Sequence, residues 1–358
     1  MKKELIIFIS ITLAVFACSK ANNPYSNTTL SKIMTYNTLG NPVSIDVSHD
    51  YLIVAENATG VSLFDRSTGS LYQRIENVYI LGANNDSTEV QLRSTYMVKY
   101  VPERNYLFIG HDYNAGGDAS RICLFGARIN DPREPVRQIF SSGSRSYVND
   151  LFYEINEGND RVFSAFWNSL SGNNFKMMRF RVNVNPGQFD DPFEEVWVSN
   201  DLTPNQTNGI AVFEDFIITS MGQYGVYIVR RDDFSHVSTT YTPGEAQDVK
   251  IKENYIYVAD RHFGLQVIDA TDMYAPKIIK NAARNTTGYA TTLDICDDIL
   301  ALSSNSGGIY LFNITNPSNP KLITRDANYG YVYKVRFYEK DLYVASREHG
   351  VIRFEVKY

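Results

Sequence analysis

Four aspartates recur at a matching place in four short apolar runs: Asp46 in 43–47, Asp150 in 148–152, Asp248 in 246–251 and Asp294 in 292–295. Lys99 and Lys334 hold that place in 97–101 and 332–336, and Ile210 holds it in 209–213. Strand side chains alternate between two faces, so residues sharing a register would point one way at one height. Carboxylates gathered like this could hold a hard cation such as calcium through oxygen ligands. They could equally sit in a hydrated network neutralised by the two lysines, because like charges in a ring need compensation nearby. The second arrangement is the expected one, with no cofactor.

A second set lies in segments read as loops after other apolar runs. It comprises His111, Asp112 and Tyr113; Trp167; Tyr224; Asp260, Arg261 and His262; and Arg347, Glu348 and His349. Three of the five histidines fall in this set. If they converged, they could share a ligand or a metal, and with the aspartates they would suit a hydrolase or lyase, with calcium as a possible ion. Against that reading, the chain has no Gly-x-Ser-x-Gly elbow, no His-Glu-x-x-His and no phosphate-binding glycine loop. Tyrosine- and asparagine-rich loops instead offer aromatic contact and adaptable hydrogen bonding. The expectation is a binding or scaffolding module for a protein or carbohydrate ligand.

The elements that must position these residues repeat. Residues 265–279 (LQVIDATDMYAPKII) and 309–323 (IYLFNITNPSNPKLI) follow one pattern, with weaker echoes at 61–65 and 226–230. Self-similarity at about 40 to 50 residues signals stacked supersecondary units. One unit reads as a strand at 246–251, a polar turn, a strand at 255–259, a loop, a strand at 265–268, an Asp/Pro turn and a strand at 277–279. Four antiparallel strands at this spacing make a propeller blade. The opening strand recurs seven times, and the last copy stops after its third strand, while residues 32–36 precede the first. The chain is therefore expected to be all-β: a seven-bladed β-propeller of four-stranded antiparallel blades over 32–358, its ring closed by the N-terminal strand.

The two strong copies, with their apolar core, Asp, and Asn-Pro-x-x-Pro-type turn, resemble the LVIVD repeat of bacterial surface proteins. The resemblance implies a propeller, often on an exported lipoprotein, and carries no defined catalytic residues. At the N-terminus, Lys2 and Lys3 precede an apolar run over 5–16 that is too short to span a bilayer. That run ends in Val15-Phe16-Ala17-Cys18, which resembles the lipobox of bacterial lipoproteins. The resemblance implies a signal peptide over 1–17, lipidation of Cys18 and membrane attachment by lipid, and the polar, aperiodic residues that follow read as a flexible tether over 18–31. Ser19 after the cysteine favours the outer membrane of the cell envelope. Cys123 and Cys296 lie in separate apolar runs and read as buried thiols rather than a disulfide. A net charge of -6 with no basic run argues against a nucleic-acid partner.

Overall fold

The computed structural model describes residues 28–81, 87–113, 121–128, 137–142, 146–156, 159–168, 177–183, 193–198 and 207–357. Cys18 and the segment 1–17 lie outside these residues. The described chain forms seven four-stranded antiparallel sheets and one two-stranded hairpin. Its only helical turns are two short 3-10 segments. The sheets, numbered one to seven along the chain, open with Ser44–Val47, Thr95–Val101, Ser146–Glu154, Ile210–Phe213, Asp248–Lys252, Thr292–Cys296 and Val332–Tyr338. In sheets one to six the four strands follow one another in sequence order.

Sheet seven departs from this order. Its third strand is Gly350–Lys357, and its fourth is the N-terminal strand Thr29–Tyr36, paired antiparallel from Thr29 opposite Lys357 to Tyr36 opposite Val351. The strand thus starts earlier than the sequence suggested, and Thr29 to Ser31 belong to a sheet rather than to a tether. The hairpin of Asn77–Leu81 and Ser87–Gln91 falls between sheets one and two, where Val78 and Val90 enter the core.

The second strand of each sheet is an almost unbroken apolar run because both of its faces are covered. In sheet one, Leu52 and Val54 pack with Tyr36, Tyr343 and Val351 of sheet seven. The alternating Ile53 and Ala55 pack with Val98, Leu107 and Ile109 of sheet two. Sheet five repeats this: Ile256 and Val258 face sheet four, while Tyr257 and Ala259 face sheet six. Period-two alternation therefore divides one strand between two interfaces. The core is a series of sheet-on-sheet layers, and one of them joins the last sheet to the first.

The Asp of the repeat caps the turn into the fourth strand. Asp269 Oδ1 accepts the Thr271 N–H at 3.0 Å and its hydroxyl at 2.7 Å, and Asn313 Oδ1 accepts the Thr315 N–H at 2.9 Å. In sheet four, Arg230 occupies the Asp position, and the capping passes to Asp233, whose Oδ1 accepts the Ser235 N–H at 2.9 Å. The half-buried Cys296 thiol donates to the Glu339 carbonyl at 2.9 Å, so its burial is less complete than expected. Cys123 lies in the strand Arg121–Arg128.

Gly350 shows how closely the N-terminal strand copies a resident one. A Cβ at Gly350 would meet the Tyr36 carbonyl oxygen at 2.4 Å, just as one at Gly264 would meet at 2.3 Å the oxygen of Arg284, which bridges to Leu265 beyond the fourth strand of sheet five. Both have positive φ, +71 and +68. Gly222 is also left-handed at +52 but faces open space. Gly222→Ala should cost only left-handed strain, about 1–2 kcal/mol. Gly350→Ala should cost about 1–3 kcal/mol more through overpacking, read from urea unfolding midpoints. Equal losses would mean that the N-terminal strand is not seated on sheet seven.

Candidate functional site

The opening strands of all seven sheets line one cavity of about 380 Å3. Asp46, Lys99, Asp150, Asp248, Asp294 and Lys334 are all on its wall, together with Lys250 and Arg336. They do not share one register, however. Asp248 and Lys334 pair across their sheets with Ala259 and Ala345, the alanines that close the apolar run of the second strand. In sheet one that place belongs to Ser44, opposite Ala55, and Asp46 lies two residues further along, opposite Ile53. Asp294 is likewise two residues beyond Thr292. The wall therefore has two tiers, with Asp150, Asp248 and Lys334 in one and Asp46, Lys99, Asp294, Lys250 and Arg336 in the other. Lys250 and Arg336 follow Asp248 and Lys334 by two residues, and strand alternation was the signal that could have found them.

Each carboxylate on the wall accepts a backbone N–H from the opening strand of the next sheet. Asp46 Oδ2 takes Tyr100 N–H at 2.9 Å, and Asp150 Oδ2 takes Ile210 N–H at 3.1 Å. Asp248 Oδ2 takes Leu293 N–H at 3.0 Å, and Asp294 Oδ2 takes Phe337 N–H at 2.8 Å. Thr292 does the same with its hydroxyl, accepting Val335 N–H at 3.1 Å, and Lys334 Nζ donates to Ser44 Oγ at 3.2 Å from sheet seven to sheet one. Cations balance the charge. Lys99 lies 3.4 Å from Asp46, Lys250 lies 3.0 Å from Asp248, and Arg336 bridges Asp46 and Asp294 at 3.4 and 3.7 Å. Burial pushes the Asp46 carboxyl up, but Lys99, Arg336 and the Tyr100 amide outweigh it and hold the group below the usual range. At Asp248 burial prevails over Lys250 and the carboxyl is raised.

These oxygens are engaged by amides and cations rather than grouped around a vacant centre. Among the described residues no set of three or more His, Cys, Asp or Glu side chains is arranged to hold a metal ion. The structure thus corrects the expectation of one shared register, and it pairs the carboxylates with Lys99, Lys250 and Arg336 rather than with Lys99 and Lys334.

The described turns between second and third strands, in sheets one, four, five and six, lie at the end of their sheets where isolated bridges join them to the next sheet, and this end is the turn face. His111 is not in such a turn but inside the strand Tyr106–Tyr113, only 1% exposed. It occupies the place that Glu56, Asp260, Ser304 and Ser346 hold in sheets one, five, six and seven, and these side chains tie down the segment entering their own sheet. Glu56 Oε2 accepts Leu39 and Gly40 N–H at 2.9 Å each, and Asp260 Oδ2 accepts Gly244 N–H at 2.9 Å. Ser304 and Ser346 donate to the Thr287 and Tyr329 carbonyls, both at 2.7 Å. His111 Nε2 accepts Arg93 N–H at 3.0 Å. His111 and Asp260 are therefore structural caps. Asp112 and Tyr113 continue the strand of His111, and Trp167 lies in the strand Asn159–Asn168.

His262 and His349 stand two and three residues past the cap position, so the three histidines occupy three different places in their repeats. What the face does assemble is an aromatic and cationic cluster. Arg261 lies over the Tyr289 ring at 5.3 Å and pairs with Glu245, and His262 meets the same ring edge-on at 4.4 Å. Tyr289, Phe263 and Tyr241 are exposed, and Tyr224 packs near Tyr241 with centroids 6.4 Å apart. Glu348 Oε2 accepts Tyr331 N–H at 2.7 Å, and the His349 ring packs edge-on near Tyr329 at 5.8 Å. Tyr289 carries this cluster; its exposure in the segment leading into sheet six could not be read from ring chemistry alone.

Burial lowers the His111 imidazole to about 4. Its folded pKa lies below the unfolded value near 6.5, so the unfolded chain binds the extra proton between those values. His111 should therefore make stability fall by about 3 kcal/mol as pH drops from 6.5 towards 4. His111→Gln, which keeps an acceptor for Arg93, should flatten that part of the stability-versus-pH curve measured by urea unfolding. An unchanged slope would place the titrating group elsewhere.

No curated protein matches the chain in sequence. Among solved structures, the computationally designed Ika8 protein is similar, with a TM-score of 0.57 over 91% of this chain and 100% of that one. At 9% identity this likeness concerns the fold alone. Residues 243–281, spanning sheet five, match the LVIVD repeat family model. The chain thus carries an LVIVD repeat within an all-β, propeller-like fold.

Proposed function

We propose that this chain is a lipid-anchored protein of the bacterial cell envelope, attached to the outer membrane through Cys18, and that its sheets are the blades of a closed seven-bladed propeller. In this reading the propeller is a non-catalytic module that binds a protein or carbohydrate on the face bearing the turns between second and third strands. Closure is supported by the pairing of Thr29–Tyr36 with Gly350–Lys357 and by the core that joins Tyr36 and Tyr343 to Ile45 and Leu52. The observation that carries the binding reading is the cluster of Arg261, His262 and Tyr289, since exposed aromatic and arginine side chains dominate recognition surfaces.

The direction of the N-terminal strand fits this arrangement. It ends at Tyr36, beside the turn before Val351, and begins at Thr29, opposite Lys357, at the other end of the sheet. An anchor ahead of Thr29 would therefore join the body on the side away from the cluster and leave that face open.

A photo-crosslinking residue at Phe263 in intact cells should give a discrete adduct that disappears in an Arg261→Ala/Tyr289→Ala variant. The same probe at Asn254, on the opposite face, should give none. No adduct at Phe263, or equal adducts at both sites, would contradict the binding face. In the same cells Cys18→Ala should shift the protein from the membrane to the soluble fraction, and unchanged fractionation would contradict the anchor.

A further inference from the structure

A groove of about 740 Å3 opens on the turn face where sheet seven meets sheet one, and a single residue type explains why it opens there. At four other seams, the residue after the cap position is latched to the segment entering the next sheet. The isolated bridges are Asn57 to Thr95, Gly222 to Ala246, Arg261 to Ala290 and Asn305 to Val332. In each, the entering residue donates its N–H: Thr95 to Asn57 O at 3.0 Å, Ala246 to Gly222 O at 2.9 Å, Ala290 to Arg261 O at 2.8 Å and Val332 to Asn305 O at 3.1 Å. The equivalent residue entering sheet one is Pro42, which precedes Val43 as Ala246 precedes Gln247, the N–H groups of Val43 and Gln247 donating to Ala55 and Ala259. Proline has no N–H to donate. Arg347, which would be its partner, instead directs its own N–H to Tyr331 of sheet seven at 2.9 Å.

The groove left by this missing latch is polar. Its walls carry Lys32, Arg347 and His349 against one carboxylate, Glu348, whose Oε2 is occupied by the Tyr331 N–H. Among the described residues neither Lys32 nor Arg347 forms an ion pair, in a chain whose net charge is -6. The side-chain amides of Asn37, Asn41 and Asn57 also line it and are likewise uncommitted among the described residues. The volume lies within the ~300–1,000 Å3 of small-ligand sites, but amides and cations replace the usual apolar walls. Such walls suit a ligand with an anionic group and several hydroxyls.

We propose that this groove binds an acidic saccharide, its carboxylate met by Arg347 and Lys32 and its hydroxyls by the asparagine amides. The proposal rests on the reading of the turn face as a binding surface and gives that face a ligand class. Titration calorimetry of the whole soluble chain with a galacturonate tetrasaccharide tests it, with neutral cellotetraose and free galacturonate as further probes. The acidic tetrasaccharide should bind, cellotetraose should not, and free galacturonate should bind at least about tenfold more weakly than the tetrasaccharide. Arg347→Ala should weaken tetrasaccharide binding at least about tenfold, and Arg347→Lys should retain most of it, at unchanged melting temperatures. Equal binding of cellotetraose overturns the anionic requirement, and equal binding of free galacturonate overturns the engagement of more than one sugar by the asparagine amides. No binding of the acidic tetrasaccharide overturns the groove proposal. If the Phe263 adduct persists in that case, the failure is confined to the groove; if the adduct is also absent, the binding face itself fails.

Discussion

A side-chain oxygen on one sheet accepting a main-chain N–H from the next is the interaction on which the rest of this structure depends. The opening strand of every sheet is an edge, and its outward amides would otherwise lack a ladder partner. Asp46, Asp150, Asp248 and Asp294, helped by Thr292, supply that partner from the neighbouring sheet. Hydrogen bonds to charged groups are worth about 1.5–3 kcal/mol each, more than a neutral pair. Their charge has to be balanced where it is buried, which explains Lys99, Lys250 and Arg336. Removing one partner would leave an uncompensated charge, at a cost of about 3–5 kcal/mol.

This arrangement relocates the search for function. Carboxylates and cations facing a central cavity suggest acid–base work or a bound ion, yet their oxygens are committed to joining sheets. The cap positions behave alike: Glu56, His111 and Asp260 tie incoming segments to the sheets they enter. Among the described residues, what remains available on the turn face is Tyr289 with Arg261 and His262, and the open seam beside Arg347. Both lie where the repeat leaves its side chains without a structural task.

Much of the fold was legible in the sequence because it rests on local periodicity. The second strands announce themselves as apolar runs, since alternate residues such as Leu52 and Ile53 feed two separate interfaces. The last copy, lacking a fourth strand, and the spare run 32–36 pointed to the pairing of the N-terminal strand with the last sheet, whose register, Tyr36 opposite Val351, came from the structure. The site was less legible, for two physical reasons. Residues i and i+2 of a strand share a face, so Asp46 and Asp248 both reach the cavity while lying one tier apart. Turn positions also differ in task over very short distances: His111 is a buried cap, whereas His262, two places further along its own repeat, packs against an exposed ring. Pro42 carries its signal in a missing donor, which becomes visible only beside the latches at the other seams.

Native-state hydrogen exchange of the amides of Tyr100, Ile210, Leu293 and Phe337 tests the clasp between sheets most directly. If the clasps hold the sheets as one cooperative body, these edge-strand amides should exchange only through global unfolding. They should then show the same free energy and denaturant dependence as the ladder amide of Val258 in a second strand. Exchange through local fluctuation, with little denaturant dependence and protection no greater than that of the exposed Tyr289 segment, would contradict the central role given to these carboxylates.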